Sequence, residues 1–353
     1  MEDLSPLYYM NDSIPGITRK RRGDKFVYLH PNNTVVTEDD ILERINSLAI
    51  PPAYNQVWIS PLPNSHIQAT GRDSKNRKQY RYHPLWRKIR DENKFMGMTH
   101  FGQALPKIRK HIERELNKPL KISREQIICA IIYLLDNHFI RIGNSIYEKQ
   151  NHSYGLTTLR KKHLSLSSSK AELNFKGKNL KSWQIVLKDK KIIRILKKCE
   201  AIPGYKLFKY IDEESNYSEI TSQDINTYLH DLTKDFFTAK DFRTWGACRE
   251  MFFHLSQTPY LDELSSKKDF SLIISKVAKL LGHTPAICQK CYIYPEIINQ
   301  WKEGKINRWV KKRPKLIENK DKLFLRWLET QCFEASSIPT IGQVLSPSGK
   351  SID

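Results

Sequence analysis

The chain has 353 residues, 39% apolar and 27% charged, enough for one large or two ordinary domains with their own cores. No apolar run approaches the roughly 18–20 residues of a membrane span, and the acidic start MEDLSPLYYMND lacks the basic-then-apolar order of a signal peptide; a cytoplasmic chain with no membrane partner is expected. The formal net charge of +21, spread along the sequence, points to a polyanion-binding surface, with nucleic acid as the leading partner.

Residues 1–16 are polar and expected to be loose. From Lys25 to Tyr82 the signals are those of short strands, at residues 26–29, 57–59 and 66–70, separated by the turn formers Pro31-Asn32-Asn33 and Pro61-Leu62-Pro63-Asn64. One helix interrupts them. Thr37 with Asp40 has the form of a capping box, Ile41, Leu42, Ile45 and Leu48 mark one apolar face, and Pro51-Pro52 ends it. The segment 70–90, TGRDSKNRKQYRYHPLWRKIR, closes this β-rich region. On a strand, Gln79 and Arg81 face one side and Tyr80 and Tyr82 the other. Glutamine can read adenine edges, arginine and lysine meet phosphates, and tyrosines pack on sugars; a solvated basic strand edge is the plain alternative.

From about Lys94 the pattern turns helical, with Phe101, Leu105, Ile108, Ile112 and Leu116 at the 3.6-residue period. Ser123 with Gln126 reads as a capping box opening a strongly apolar helix that Gly143 can end. Arg141 then sits near a helix end among apolar neighbours, where a charged or strongly polar partner is needed; a structural salt bridge and a phosphate clamp both satisfy that need. A hairpin follows, residues 171–175 and 182–187 alternating around Lys176-Gly177-Lys178-Asn179. Further helices are expected around Ile192–Leu196 (192–196), from Ser222 through Leu229, and from the capping box of Thr238 and Asp241. The last of these carries Arg243, expected in the first turn, where unpaired N–H groups and the helix dipole favour an anion.

The stretch 281–295 reads LGHTPAICQKCYIYP. It follows the apolar helical run Phe270, Ile273, Ile274, Val277, Ala278 and Leu281. Gly282 stands where a C-cap glycine belongs and Pro285 suits the first turn of the next helix. His283 is therefore expected in a corner between two helices, with Tyr292 near the end of the second, able to converge on one bound group; a core histidine and a packing tyrosine would look the same. Trp301, Trp309 and the group Leu323, Phe324, Trp327 and Leu328 suggest further helices, and residues 336–353 are expected to be disordered. Of the six cysteines (129, 199, 248, 288, 291 and 332), only Cys288 and Cys291 form a C-x-x-C. One pair cannot complete a tetrahedral zinc site, so reduced thiols and no metal site are expected.

Six phrases in order, TGRDSKNRKQYRYH (70–83), FIRIGN (139–144), SYGLTTLRKKH (153–163), FKGK (175–178), TAKDFRTWG (238–246) and LGHTPAICQKCY (281–292), resemble the type IB DNA topoisomerases of the small poxvirus and bacterial kind, and more distantly the tyrosine recombinases. The resemblance implies an α+β protein. A small β-rich N-terminal domain (1–93) and a larger, mainly α catalytic domain with a β-hairpin (94–335) would form a C-shaped clamp on double-stranded DNA. It implies a monomeric enzyme that relaxes supercoils through a 3′-phosphotyrosyl intermediate, without ATP, metal or other cofactor, and associated with the nucleoid if bacterial. Tyr292 would be the nucleophile, with Arg141, Lys178, Arg243 and His283 as its catalytic partners. Lys178 enters only through the resemblance. Gln79, Tyr80, Tyr82, Asn144 and Tyr147 would face DNA, Asn144 standing where poxvirus members carry a lysine. A site-specific tyrosine recombinase would use the same five catalytic positions. The β-rich N-terminal region, where recombinases are helical, and Lys240, where many of them have histidine, favour the topoisomerase.

Overall fold

The computed structural model describes residues 7–331, with the side chains of 87–94 and 96 excepted; the expectation for the tail 336–353 and Cys332 lie outside the described residues. The chain divides into two compact units, one running to Gly97 and the other beginning at Met98.

The first unit is built on a five-stranded antiparallel sheet, β1 (Ile17–Arg22), β2 (Lys25–Leu29), β3 (Asn55–Ile59), β4 (Ile67–Arg72) and β5 (Lys78–Tyr82), in the order β2-β1-β3-β4-β5. Side-chain alternation decides what each face buries. Ile17, Val57, Ile59 and Ala69 form one core with Ile45 of helix α1 (Asp39–Ser47), and Ile41, Leu42 and Leu48 pack against it, as the helical face predicts. The other face carries Trp58 and Ile67, and here the structure corrects the expectation of a loose start. Met10 completes this second cluster, its N–H donating to His66 Nδ1 at 3.0 Å, and Leu7 packs on Trp86. Two further readings change. β1 went unread because its sequence, ITRKRR, looks like a charge run. Arg19 in it donates to the carbonyls of Ile50, Pro51 and Tyr54 and lies over the Phe26 ring. Thr37 does not cap α1; the N-cap is Glu38, whose carboxylate turns back to the Thr37 N–H.

The second unit is mainly helical. Helix α2 (Pro84–Asn117) starts before Lys94, and Phe101, Leu105, Ile108, Ile112 and Leu116 are all buried along it. Next come α3 (Arg124–His138), α4 (Ser145–Asn151), the antiparallel sheet β6 (Leu164–Leu166), β7 (Ala171–Lys176) and β8 (Ser182–Leu187), and α5 (Lys190–Ala201). A small hairpin, β9 (Lys209–Ile211) and β10 (Tyr217–Glu219), leads to α6 (Ser222–Thr233) and α7 (Ala239–Ser256). The remainder is α8 (Glu263–Leu281), α9 (Pro285–Tyr292), α10 (Pro295–Lys302), α11 (Lys305–Lys311) and α12 (Lys320–Leu328). The architecture is α+β, a β-rich N-terminal unit and a mainly helical second one with a β-hairpin.

α7 is the hub of this unit, packed against α3, α6 and α8 through α12. Its aromatic side chains Phe242, Trp245 and Phe252 are fully buried. Charge holds the far side of the hub. Asp321 of α12 accepts from Trp245 Nε1 at 2.6 Å, from Arg249 Nη1 at 3.0 Å and from Arg109 Nη1 at 2.8 Å, while Arg109 also forks onto Asp136 of α3. Burial pushes the Asp321 carboxyl up, but Arg249 and Arg109 outweigh it and hold it below the usual carboxylate range. Asp321→Asn keeps the shape and removes the charge that three donors face. It should cost about 2–3 kcal/mol, read as a lower urea midpoint with an unchanged slope; a shift within about 0.5 kcal/mol would mean the network does not support the fold.

Candidate active site

Arg141 is set by two loops meeting. Helix α3 ends at Phe139, which turns left-handed (φ 53°) with its amide on the Leu135 carbonyl. The expected stop at Gly143 is thus replaced by an earlier one. A side chain at Gly246 of α7 would overlap the Phe139 ring, so packing against the hub offsets the strain of a non-glycine residue in that region. Beyond it the backbone is clamped by the 155–158 segment. Leu156 N–H donates to the Arg141 carbonyl at 2.8 Å and Thr157 N–H to the Ile142 carbonyl at 2.7 Å. A Cβ on Gly155 would lie 2.6 Å from that Arg141 oxygen and equally close to Gly143 Cα. The close approach needs glycine.

Arg243 lies on α7, whose capping box forms as read: Thr238 caps, and Asp241 returns to the Thr238 N–H at 2.7 Å. Its setting differs from the expectation. Arg243 is the fifth residue of the helix, past the first turn, and the first N–H groups already have partners. Ala239 donates to Asn226 Oδ1, Lys240 to Thr238 Oγ1 and Asp241 to the Thr238 carbonyl. The backbone at this helix start therefore has no such donor left over for an anion, and the guanidinium itself must supply the charge. It is 3% exposed. Nη2 donates to the Leu281 carbonyl at 2.8 Å and approaches His283 Nε2 at 3.2 Å, while Nε and Nη1 are buried with no hydrogen-bond acceptor among the described residues. Burial brings its pKa down to about 10. A buried cation with two unused donors is costly unless an anion completes it.

His283 occupies the predicted corner. Gly282 is left-handed (φ 66°), the His283 N–H closes the helix end on the Ala278 carbonyl at 2.9 Å, and Thr284 caps α9 through the Ile287 N–H with Pro285 at the first position. Arg141 Nη2 lies 2.9 Å and Arg243 Nη2 3.2 Å from His283 Nε2. Guanidinium groups only donate, so Nε2 accepts and the ring proton belongs on Nδ1. Burial, followed by the charges of Arg141, Arg243, Lys178 and Lys181, presses the imidazole pKa down to about 3.

Tyr292 ends α9 with its ring centroid 4.7 Å from that of His283 and 5.6 Å from Arg243 Cζ. Burial lowers the pKa of both arginines, and hydrogen bonding with Tyr292 opposes this at each. Tyr294 lies elsewhere, its ring against the edge of Trp327. Cys248 of α7, which nothing in the sequence singled out, brackets the segment. Its thiol donates to the Tyr292 carbonyl at 2.9 Å and its sulfur accepts the Tyr294 N–H at 3.3 Å. Four of the five sequence candidates thus converge. The fifth, Lys178, is exposed in the β7–β8 turn, and the same turn reaches the corner through Lys181, whose Nζ is 3.5 Å from the His283 carbonyl. Cys129, Cys199, Cys248 and Cys288 are buried thiols and Cys291 is exposed.

Of the expected DNA-facing residues, Tyr80 is exposed and stacks on Tyr82 at 5.9 Å, while Gln79 donates to Asp73 at 3.0 Å. Tyr82 is partly occupied by the clusters of Trp86 and Trp58. The Asn144 side chain caps α4 by accepting the Ile146 N–H, and Tyr147 on that helix is exposed. Among the described residues no helix is long and apolar enough to cross a membrane.

Two family models match this chain, and both describe DNA topoisomerases. The catalytic core of eukaryotic DNA topoisomerase I matches residues 83–319, which contain all five clustered or candidate catalytic residues, and the N-terminal domain of bacterial DNA topoisomerase IB matches residues 25–73. DNA topoisomerase 1B of Acanthamoeba polyphaga mimivirus is 37% identical over 291 residues, 79% of this chain and 85% of that protein. DNA topoisomerase 1B of Vaccinia virus (strain Copenhagen) is 26% identical over 283 residues, 77% of this chain and 85% of that protein. The chain belongs to the type IB DNA topoisomerases. It is an isomerase whose substrate is DNA.

Two expectations follow from the geometry. An alanine at Gly155 should push the Arg141 carbonyl away and lower the relaxation rate by about 10²-fold, with little change in melting temperature if the loop yields; full activity would show that Arg141 does not depend on this contact. For pH, the folded pKa of His283 is about 3, below the roughly 6.5 of an unfolded chain. Above that value both states are neutral there. As pH falls through the window from about 6.5 to 3, the unfolded chain binds a proton that the folded one refuses, so stability falls. His283→Asn should therefore flatten the acid side of the stability–pH curve by about one proton. An unchanged curve would mean the imidazole is protonated in the folded protein.

Proposed function

We propose that this topoisomerase cuts one DNA strand by attack of Tyr292 on a backbone phosphorus. The step forms a 3′-phosphotyrosyl bond and releases a 5′-hydroxyl. The observation that carries the reading is the buried Arg243, with two donors unused, beside Arg141, His283 and Tyr292. Phosphoryl transfer asks mainly for positioning and charge stabilisation. Arg141 and Arg243 offer planar donor forks to the non-bridging oxygens. His283, neutral at physiological pH, donates to one of these oxygens from Nε2 once the arginines turn from it to the phosphate and its proton moves from Nδ1. The departing 5′ oxygen is too basic to leave unaided, and Lys178 supplies its proton.

The covalent link keeps the energy of the broken bond, so the 5′-hydroxyl can reverse the reaction after the duplex has rotated, and ATP has no role. The two arginines, the lysine and the histidine supply the charge that a divalent metal supplies in other phosphoryl-transfer enzymes. The exposed Tyr80 and Tyr147, with Gln79, Tyr82 and Asn144, contribute to DNA contact.

Supercoiled plasmid incubated with the protein in EDTA tests the reading: relaxation is expected, and a strict requirement for Mg²⁺ or ATP overturns it. Tyr292→Phe keeps the ring and removes the attacking oxygen. It should bind duplex normally and give no covalent adduct on a denaturing gel; adduct from this variant, lost instead in Tyr294→Phe, would move the nucleophile. Binding should weaken steeply with salt, with a log–log slope near about −0.9 per phosphate neutralised.

A further inference from the structure

The indole of Trp183 spans two glycines that each immediately precede a proposed catalytic residue. Its pyrrole edge lies against Gly177, where an added Cβ would sit 2.7 Å from Nε1 and 2.9 Å from Cδ1. Its benzo edge lies against Gly282, where a Cβ would overlap Cζ2 and come to 3.0 Å from Cε2. The residue after Gly177 is Lys178 and the residue after Gly282 is His283. The other side of the indole is backed by Phe175, its cross-strand partner, with ring centroids 6.0 Å apart and planes 2° from parallel. One flat side chain thus seats the hairpin turn on the corner between α8 and α9, and any side chain at either glycine would separate them.

The two halves of this contact are not equally secure. The corner is held by the helix-end bond of His283 to Ala278, by the Thr284 cap and by Arg243 on the Leu281 carbonyl. The turn has its own closing bond, Gly177 N–H to the Lys181 carbonyl at 2.8 Å, and otherwise reaches the corner through a long contact from an exposed lysine, Lys181. When the indole is removed, the turn is the part that moves. Asn179 and Leu180 in it have positive φ (59° and 58°), a conformation that non-glycine residues hold only with outside support.

We propose that Trp183 is a positioning residue that fixes Lys178 over the scissile phosphate by packing the β7–β8 turn on the glycine before His283. This rests on the assignment of Lys178 as the group that protonates the departing 5′ oxygen. In that step the tyrosyl O–P bond forms, the P–O5′ bond breaks with its electron pair on O5′, and the Lys178 ammonium gives that oxygen a proton. A misplaced lysine should resemble a missing one, and a misplacement of about 1 Å costs about 10²-fold.

The test measures single-turnover cleavage of two duplexes, one ordinary and one with sulfur replacing the bridging 5′ oxygen, a leaving group that needs no proton. Trp183→Ala, Gly177→Ala, Lys178→Ala and Arg243→Ala are compared. Gly177 has φ −89°, so alanine there carries no backbone strain and perturbs only the seat of the indole; it keeps the test open if Trp183→Ala does not fold. Expected are a loss of about 10²-fold on ordinary DNA for the Trp183 and Gly177 variants, near-complete recovery on the sulfur duplex, and unchanged duplex affinity. A generally damaged site would show no such recovery, as is expected of Arg243→Ala. If sulfur restores Lys178→Ala but neither of the two seat variants, Trp183 does not act through Lys178 and the inference is wrong. If sulfur fails to restore Lys178→Ala itself, the assignment of the proton donor falls, and the inference with it.

Discussion

Two guanidinium groups that would repel each other converge on one neutral imidazole, Arg141 and Arg243 at 2.9 and 3.2 Å from the same nitrogen of His283. Such an arrangement is unfavourable unless the fold enforces it, since each cation is partly or wholly desolvated and no carboxylate pairs with either nitrogen fork. Much of the second unit can be understood as that enforcement. Arg243 is buried in the hub helix with its Nη2 tied to a helix-end carbonyl. Arg141 is held through its own carbonyl by a second loop. Carboxylates are kept to the opposite side of α7, where Asp321, Asp136 and Glu250 neutralise Arg109, Arg249 and Lys320. Had one of them faced the histidine instead, the site would already hold its anion.

This separation gives the segment after Pro295 a role that its sequence did not disclose. α12 supplies Asp321 and the aromatic residues Phe324 and Trp327, which pack on Phe252 of α7. Trp301 of α10 is buried and donates from Nε1 to the Thr258 carbonyl just beyond the same helix. The last helices therefore back the hub rather than extend the site. A buried charge network is weak as a source of net stability, and here its placement matters more than its strength.

How much of this could be read from the chain depended on whether the signal was local. The corner of His283 was legible because a left-handed glycine and a first-turn proline have local causes, and so was the capping box of α7. The distance from Gly282 to Tyr292 followed from one short helix. Readings failed where tertiary packing overruled local preference. Phe139 ends α3 in a conformation that favours glycine because Gly246 lets its ring into the hub. β1 pairs in the middle of the sheet despite a basic sequence because Arg19 finds three carbonyls and an aromatic face. The N-terminal residues Leu7 and Met10 gave no pattern at all, as two apolar side chains are too few to show a period. Lys178 could not be found by physical reasoning from its own surroundings; a lysine beside a turn glycine looks like any other.

The bracket formed by Cys248 bears on what happens after the strand is cut. Because its sulfur holds the backbone on both sides of Ile293, the chain leaving Tyr292 is pinned to the helix that also carries Arg243. A severed strand hanging from that tyrosine would pull on a short helix of eight residues, Pro285–Tyr292, as the free duplex swivels. The pinning makes nucleophile and clamp one mechanical body, so torque from the turning DNA is passed into the hub instead of unwinding the helix end. The broken end then stays in register for resealing, however many turns the duplex makes.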